Sequence, residues 1–213
     1  MKGNRRATQN SAKGNRTLGW FLAGVLALWF VTVSSFAFAG FFERATEEFP
    51  AAVLIGFLGP IVLFLVAYWS SKSLRRFVLT MDLSVATAVQ GGRFGGLAFL
   101  GFYAHGMLPG FFAWPAGLGD MAIGITAPWI AMRLERHPEF VASKTYIGWN
   151  VFGLLDFVVA IGTGILCSGI AMGTFGTTTT EIMSQVPLVF VPVFFVPLYS
   201  ILHLVGLLRA WAA

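Results

Sequence analysis

Charge is what this chain has least of. Only 11 % of its 213 residues are Asp, Glu, Lys or Arg, against roughly 25 % in an average soluble domain. So little polar surface cannot coat a globule in water, which excludes an ordinary soluble domain. Cysteine is nearly absent too: Cys167 stands alone, so no intrachain disulfide can form and a disulfide framework is excluded. There is no phosphate loop of the GxGxxG type, no CxxC pair and no paired metal-ligand spacing. "GTFGTTTT" at 173–180 is polar but is no nucleotide cradle.

What the chain does have is apolar length, with 57 % of its residues hydrophobic. Crossing a hydrocarbon core takes about 20 helical residues, and runs of about that length fall at 18–40, 51–70, 95–113, 116–133, 147–169 and 187–208. The runs are continuous rather than alternating, which excludes a membrane barrel and leaves helices as the way to satisfy the backbone in lipid. The expected fold is all-α, a six-transmembrane-helix bundle filling residues 18–213 as one domain behind a basic, disordered tail at 1–17. The first run ends in "AFAG" at 37–40, a small-x-small pattern like a secretory cleavage site. Its apolar stretch is longer than the usual core of about 7–15 residues in such signals, so it reads as a retained anchor.

The net charge of +5 would point to nucleic acid in a soluble protein, but its distribution points elsewhere. Five Lys/Arg lie in the tail, four between the second and third runs, three between the fourth and fifth, and Arg209 ends the sixth. The opposite loops hold only Arg44, among Glu43, Glu47 and Glu48. By the positive-inside rule both termini are cytoplasmic. Within 72–92, Leu74, Phe77, Val78, Met81, Val85 and Ala88 recur at helical spacing beside Lys72, Arg75 and Arg76. That pattern describes a helix lying at the cytoplasmic interface against anionic lipids, or an extension of the second span packed on the bundle. The partners implied are the lipid bilayer, a second copy of the chain in a homodimer, or a membrane-complex partner; nucleic acid is not among them.

Three consecutive runs also align with the next three. "GWFLAGVLALWF" at 19–30 matches "GDMAIGITAPWI" at 119–130, "LIGFLGPIV" at 54–62 matches "VFGLLDFVV" at 151–159, and His105 meets His203. An odd number of spans per copy makes this a 3+3 inverted repeat, an arrangement of many secondary transporters.

The ionisable residues inside the runs carry the functional reading. Arg93, Arg133, Lys144 and Arg209 serve as marks of the cytoplasmic interface. At 1.5 Å per residue, His105 and Asp156 then lie about 18 Å deep, Asp120 about 20 Å, and Asn150 and His203 roughly 9 Å. A charge at mid-membrane costs about 2.5–3.5 kcal/mol or more, so such groups face partners or a wet cavity. In "WNVFGLLDFVVAIGTGILCSG", Trp149, Gly153, Asp156, Ala160, Thr163 and Cys167 share one helix side, with Asn150 about a third of a turn from Asp156. In "VPVFFVPLYSILH", Pro192, Val196, Tyr199 and His203 form a stripe, while Pro187, Pro192 and Pro197 wind around the helix. Between His105 and Asp120 the prolines Pro109 and Pro115 with Gly110, Gly117 and Gly119 predict a short hairpin sunk into the membrane, Phe111, Phe112 and Trp114 at head-group depth. Each residue also has an ordinary reading: a carbonyl-bonded His105, an N-capping Asp120, a His203 paired with Asn150.

"LPGFFAWPAGLGD" and "WNVFGLLDFVVAIGTG", followed by prolines and a histidine, resemble recurring segments of uncharacterised bacterial multi-span membrane proteins over about the last half of the chain. The resemblance implies a bacterial inner-membrane setting and no activity. The residues themselves support three functions: proton-coupled transport of a small solute or ion through a site of His105, Asp120 and Asp156 continued inward by Asn150, His203 and Tyr199; an accessory subunit whose polar groups bond partner helices; and a redox subunit, quinone- or haem-binding, with His105 or His203 as an axial ligand to haem b. No motif calls for a cofactor or a catalytic residue.

Overall fold

The computed structural model describes residue 20 and residues 23–43, 48–169 and 177–213. The basic tail at 1–17, residues 18, 19, 21 and 22, and the segments 44–47 and 170–176 lie outside the described residues. The described chain is helical throughout, with no strand. Its elements are α1 (Ala23–Phe38), α2 (Ala51–Ser70), α3 (Lys72–Thr80), α4 (Leu83–Val89), a 3-10 segment at Gln90–Gly96, α5 (Leu97–Ala104), α6 (Gly110–Arg136), a 3-10 turn at Pro138–Ala142, α7 (Lys144–Leu166), a 3-10 turn at Glu181–Ser184, a π-turn at Val191–Phe195 and α8 (Val196–Ala212). Three helical stretches are long and apolar enough to cross a membrane: Ala51–Ser70, Lys144–Leu166 and Val191–Ala212.

Local chemistry sets the starts and stops. The Ser71, Asp82 and Ser143 side chains cap α3, α4 and α7 by accepting backbone N–H bonds, satisfying donors that a helix start leaves free. At the end of α5, Gly106 takes φ +70°, and its N–H and that of Met107 turn back to the Tyr103 and Phe102 carbonyls. This paired closure needs a left-handed residue, which glycine adopts without strain. In the last span Pro192 and Pro197 both lack a donor, and the Val196 N–H reaches back five residues to the Val191 carbonyl. The wider turn carries the helix past the prolines.

Two predicted boundaries move. The run at 95–113 is not one helix: the helical path runs from 83 to 104 and turns at 105–109. The break expected around Pro115 does not occur either. Pro109 sits at the N-cap of α6 and Pro115 lies within its second turn, where a missing N–H removes a single bond near the helix start. The sunken hairpin thus shrinks to five residues. The amphipathic segment at 72–92 divides as well: α3 ends at Thr80, and Leu83, Ala86, Thr87 and Gln90 are buried in the bundle.

The bundle is apolar outside and polar inside. On α7 the outward residues are Val151, Phe152, Leu155, Val158 and Val159, while Asn150, Gly153 and Asp156 are buried. α2 exposes Ile55, Leu58, Val62, Leu63 and Val66. Water would oppose so much contiguous apolar surface, whereas hydrocarbon accepts it. One apolar cluster, including Val78, Leu83, Leu134, Phe140, Tyr146 and Leu208, closes the Lys144 end of the bundle. A second, with Phe99, Leu108, Phe112, Cys167 and Met183, closes the other. Between them lies a layer of buried polar side chains.

A buried arginine site between two aspartates

Arg93 is the centre of that layer. It is 2 % exposed, held by the 3-10 segment "QGGRFGG", which lies along α6. Its Nε donates to Asp120 Oδ1 of α6 at 2.7 Å, and its Nη2 donates to Asp156 Oδ2 of α7. Nη1 donates to the Gly153 carbonyl at 3.3 Å and contacts His203 Nε2 of α8 at 2.9 Å. Four of its five N–H donors therefore have partners, and the Phe157 ring lies 3.8 Å from the guanidinium carbon. A planar fork with an apolar face accounts for arginine here, since lysine offers neither.

These bonds fix the histidine. Arginine only donates, so Nε2 of His203 accepts, Nδ1 carries the ring proton, and the ring is neutral. Nδ1 then donates to Asn150 Oδ1 at 3.0 Å, and Asn150 Nδ2 donates to the Tyr146 carbonyl at 2.9 Å. Trp149 meets the His203 ring edge-on, with centroids 5.1 Å apart. The result is a row of polar groups from Asp120 through Arg93, Asp156, His203 and Asn150 to Tyr146, two residues from Lys144.

Glycines give these groups their space. A Cβ at Gly119 would fall on the Asp156 carboxylate, and one at Gly153 on the His203 ring. Beside the row, Gln90 donates from Nε2 to the Tyr199 carbonyl at 3.0 Å, while its buried Oε1 has no hydrogen-bond partner among the described residues.

The charge count is uneven. Two carboxylates face one guanidinium and a neutral imidazole, an excess of one negative charge when both acids are ionised. In a medium of low dielectric an uncompensated charge is expensive, so the site calls for a proton or another cation.

A cleft of about 80 Å³ adjoins this site on the side away from Lys144. The buried Ser168, Thr180 and Ser184 line it, with Phe99, Phe112 and Phe157 among its walls. Among the described residues Asp120 is the one charged residue lining it. The Asp120 side chain keeps 14 % of its surface accessible, and among the described residues only its Oδ1 is hydrogen-bonded.

Four of the six residues singled out in the sequence converge here: Asp120, Asp156, Asn150 and His203. Tyr199 adjoins them through its carbonyl, and its ring stacks on Phe195 with its hydroxyl against Gly92. His105 does not join. It is exposed at the end of α5, and its Nδ1 donates to the Gly101 carbonyl at 2.8 Å. Its assigned depth was measured from Arg93, and that mark fails, because Arg93 meets two aspartates that lie about 18 and 20 Å from Lys144 and Arg133 by helical rise. His105 and His203, equated in the repeat, thus have unlike surroundings. Both ring nitrogens of His203 are engaged, so a haem ligated there would have to break one of those bonds.

The sequence reasoning missed Arg93 and Gln90. The available signal was glycine on both sides of an arginine, which leaves the backbone thin enough to pack against a helix and carry a charge inward. No curated protein and no solved structure matches the chain. A family profile described as a domain of unknown function (DUF8737) matches residues 50–210, a stretch that holds every residue of the polar row. The chain belongs to that family.

Proposed function

We propose that the protein is a proton-coupled carrier of a small solute in a bacterial inner membrane, with six spans and both termini cytoplasmic. The observation that supports this reading is the polar row itself: one net negative charge when both acids are ionised, beside a cleft that Asp120 lines, continued by hydrogen bonds toward the Lys144 end. In this reading the third span is 83–104, and the exposed Lys72 and Arg76 of α3 lie against anionic head groups. A second copy of the chain supplies the wall that a bundle this small lacks.

The chain's own groups divide the work. Asp120 faces the cleft and takes up the proton or solute from that side. Arg93 ties Asp120 to Asp156, so a change of charge at one carboxylate alters the hold on the other. His203, as the Nδ1–H tautomer, lies next in the row and holds Arg93 Nη1 and Asn150 Oδ1 in line, fixing the guanidinium against the two carboxylates.

The test is proton movement, in either direction, across reconstituted vesicles containing a pH-reporting dye, with a panel of small solutes added outside. Wild-type protein is expected to show solute-dependent proton movement, and Asp156→Asn to lose at least nine-tenths of it while still inserting and purifying as wild type does. Proton movement unchanged by Asp156→Asn would sink the carrier reading. A stoichiometric membrane partner on purification, with no flux, would favour an accessory subunit.

A further inference from the structure

The chemistry of the cleft narrows what it can hold. Its walls are apolar, so a ligand must present a hydrocarbon body. Phe99 and Phe112, with ring centroids 5.5 Å apart, and Phe157 bring three aromatic rings to one small volume. Aromatic rings attract cations through their negative faces, most strongly where water is excluded. Among the described residues the one charged group in the lining is a carboxylate with an oxygen to spare, in a site with one negative charge more than its own cation balances. An anion would need a further positive charge to enter with it, and a neutral solute would leave the balancing proton in place and make no use of the carboxylate. An inorganic cation would find one free carboxylate oxygen and the hydroxyls of Ser168, Thr180 and Ser184 in an otherwise apolar wall, short of the six or more oxygens such ions prefer.

From this we infer that the cleft binds small organic ammonium ions, the hydrocarbon body against the phenylalanine rings and the ammonium group on Asp120 Oδ2. The inference rests on the carrier reading for the use made of the site, though not for the site's existence. The exchange balances: the empty site holds one proton on its carboxylate pair, and the ammonium ion enters as that proton leaves, so the charge of the site is unchanged. One cation in for one proton out is the stoichiometry of an exchanger.

The test measures equilibrium binding to detergent-purified full-length protein, with no gradient present. Cyclohexylammonium, cyclohexanol and cyclohexanecarboxylate share a body and differ in charge. Cyclohexylammonium is expected to bind at least tenfold more tightly than either of the others and to release about one proton per site into weak buffer. Asp120→Asn should reduce its affinity at least tenfold and bring it level with cyclohexanol. Ala160→Leu, which narrows the cleft without touching the charges, should weaken it by a similar factor and keeps the question answerable if Asp120→Asn does not fold. Equal binding of the three probes, no binding of any, or indifference to Ala160→Leu would each overturn the assignment. Absent ammonium binding beside Asp156-dependent proton flux removes this inference and leaves the carrier. Binding with no flux under any gradient removes the carrier and leaves the ammonium site.

Discussion

Arg93 holds three helices together, and its energetics follow from what surrounds it. Desolvating a guanidinium and two carboxylates costs several kcal/mol per ion, which their mutual attraction offsets only while the geometry is intact. Arg93→Met is therefore expected to destabilise the protein by about 3–5 kcal/mol, the range for breaking a buried ion pair from one side, read as a lowered unfolding midpoint in detergent. Combining it with Asp120→Asn and Asp156→Asn removes the stranded charges, and the triple variant should recover more than half of the loss. A triple variant no better than Arg93→Met would show that packing of the side chain, not charge, is what matters. Asp120, Asp156, Asn150 and His203 were legible in the sequence because each interrupts an apolar run and cannot be solvated there. Arg93 was not, because a cation beside glycines at the edge of a run looks like an interface residue. Only tertiary contact turns it inward.

At the scale of elements, the path through 83–104 is the one that sequence pattern hides. Hydropathy places its start at 95, since Gln90 and Arg93 lower the local average, and "QGGRFGG" has no helical propensity worth counting. Burial against α6 overrides that weakness. Gly124 of α6 lets the backbone of Arg93 and Phe94 approach, and a Cβ there would lie 2.9 Å from Phe94 Cα and 3.0 Å from the Arg93 carbonyl carbon. Both neighbours are backbone and cannot step aside. Gly124→Ala is therefore expected to cost about 1–3 kcal/mol, as overpacking does, and to loosen Arg93 from both aspartates. Gly162→Ala is the control. Nothing lies within 4 Å of its added Cβ, so relief of glycine's entropy in a helix should stabilise α7 by about 0.5–1 kcal/mol. Thermal midpoints that move in the same direction for both variants would contradict this account. The ends of α2 were legible from apolar length, whereas α7 starts and stops three residues before the run at 147–169, because Ser143 caps it ahead of the apolar stretch. The prolines misled at Pro115, where position within the helix decides whether a missing donor breaks it.

For the whole molecule, two features of the structure bear on which segments cross the membrane. The two apolar clusters mark opposite ends: Val78, Leu83, Leu134, Tyr146 and Leu208 at one, Leu108, Phe112, Cys167 and Met183 at the other. The segment 83–104 runs between them, and at about 1.5 Å per α-helical and 2.0 Å per 3-10 residue it extends about 36 Å, enough to cross a hydrocarbon core of about 30 Å. Lys72, Arg75 and Arg76 precede it, Arg133 and Arg136 lie in the last turn of α6, Lys144 opens α7, and Arg209 lies in the last turn of α8, so one end of the bundle gathers the cations. Single cysteines placed at the exposed Ser73, Met107 and Glu135, in a background where the buried Cys167 is alanine, separate the alternatives. With a membrane-impermeant maleimide, Met107→Cys should label from the outer face of intact cells, and Ser73→Cys and Glu135→Cys only after the inner face is opened. If 83–104 dipped in and returned instead of crossing, Met107→Cys would label with Ser73→Cys. The cleft and the cationic end would then not be separated by the membrane, and no gradient could act across the polar row that joins them.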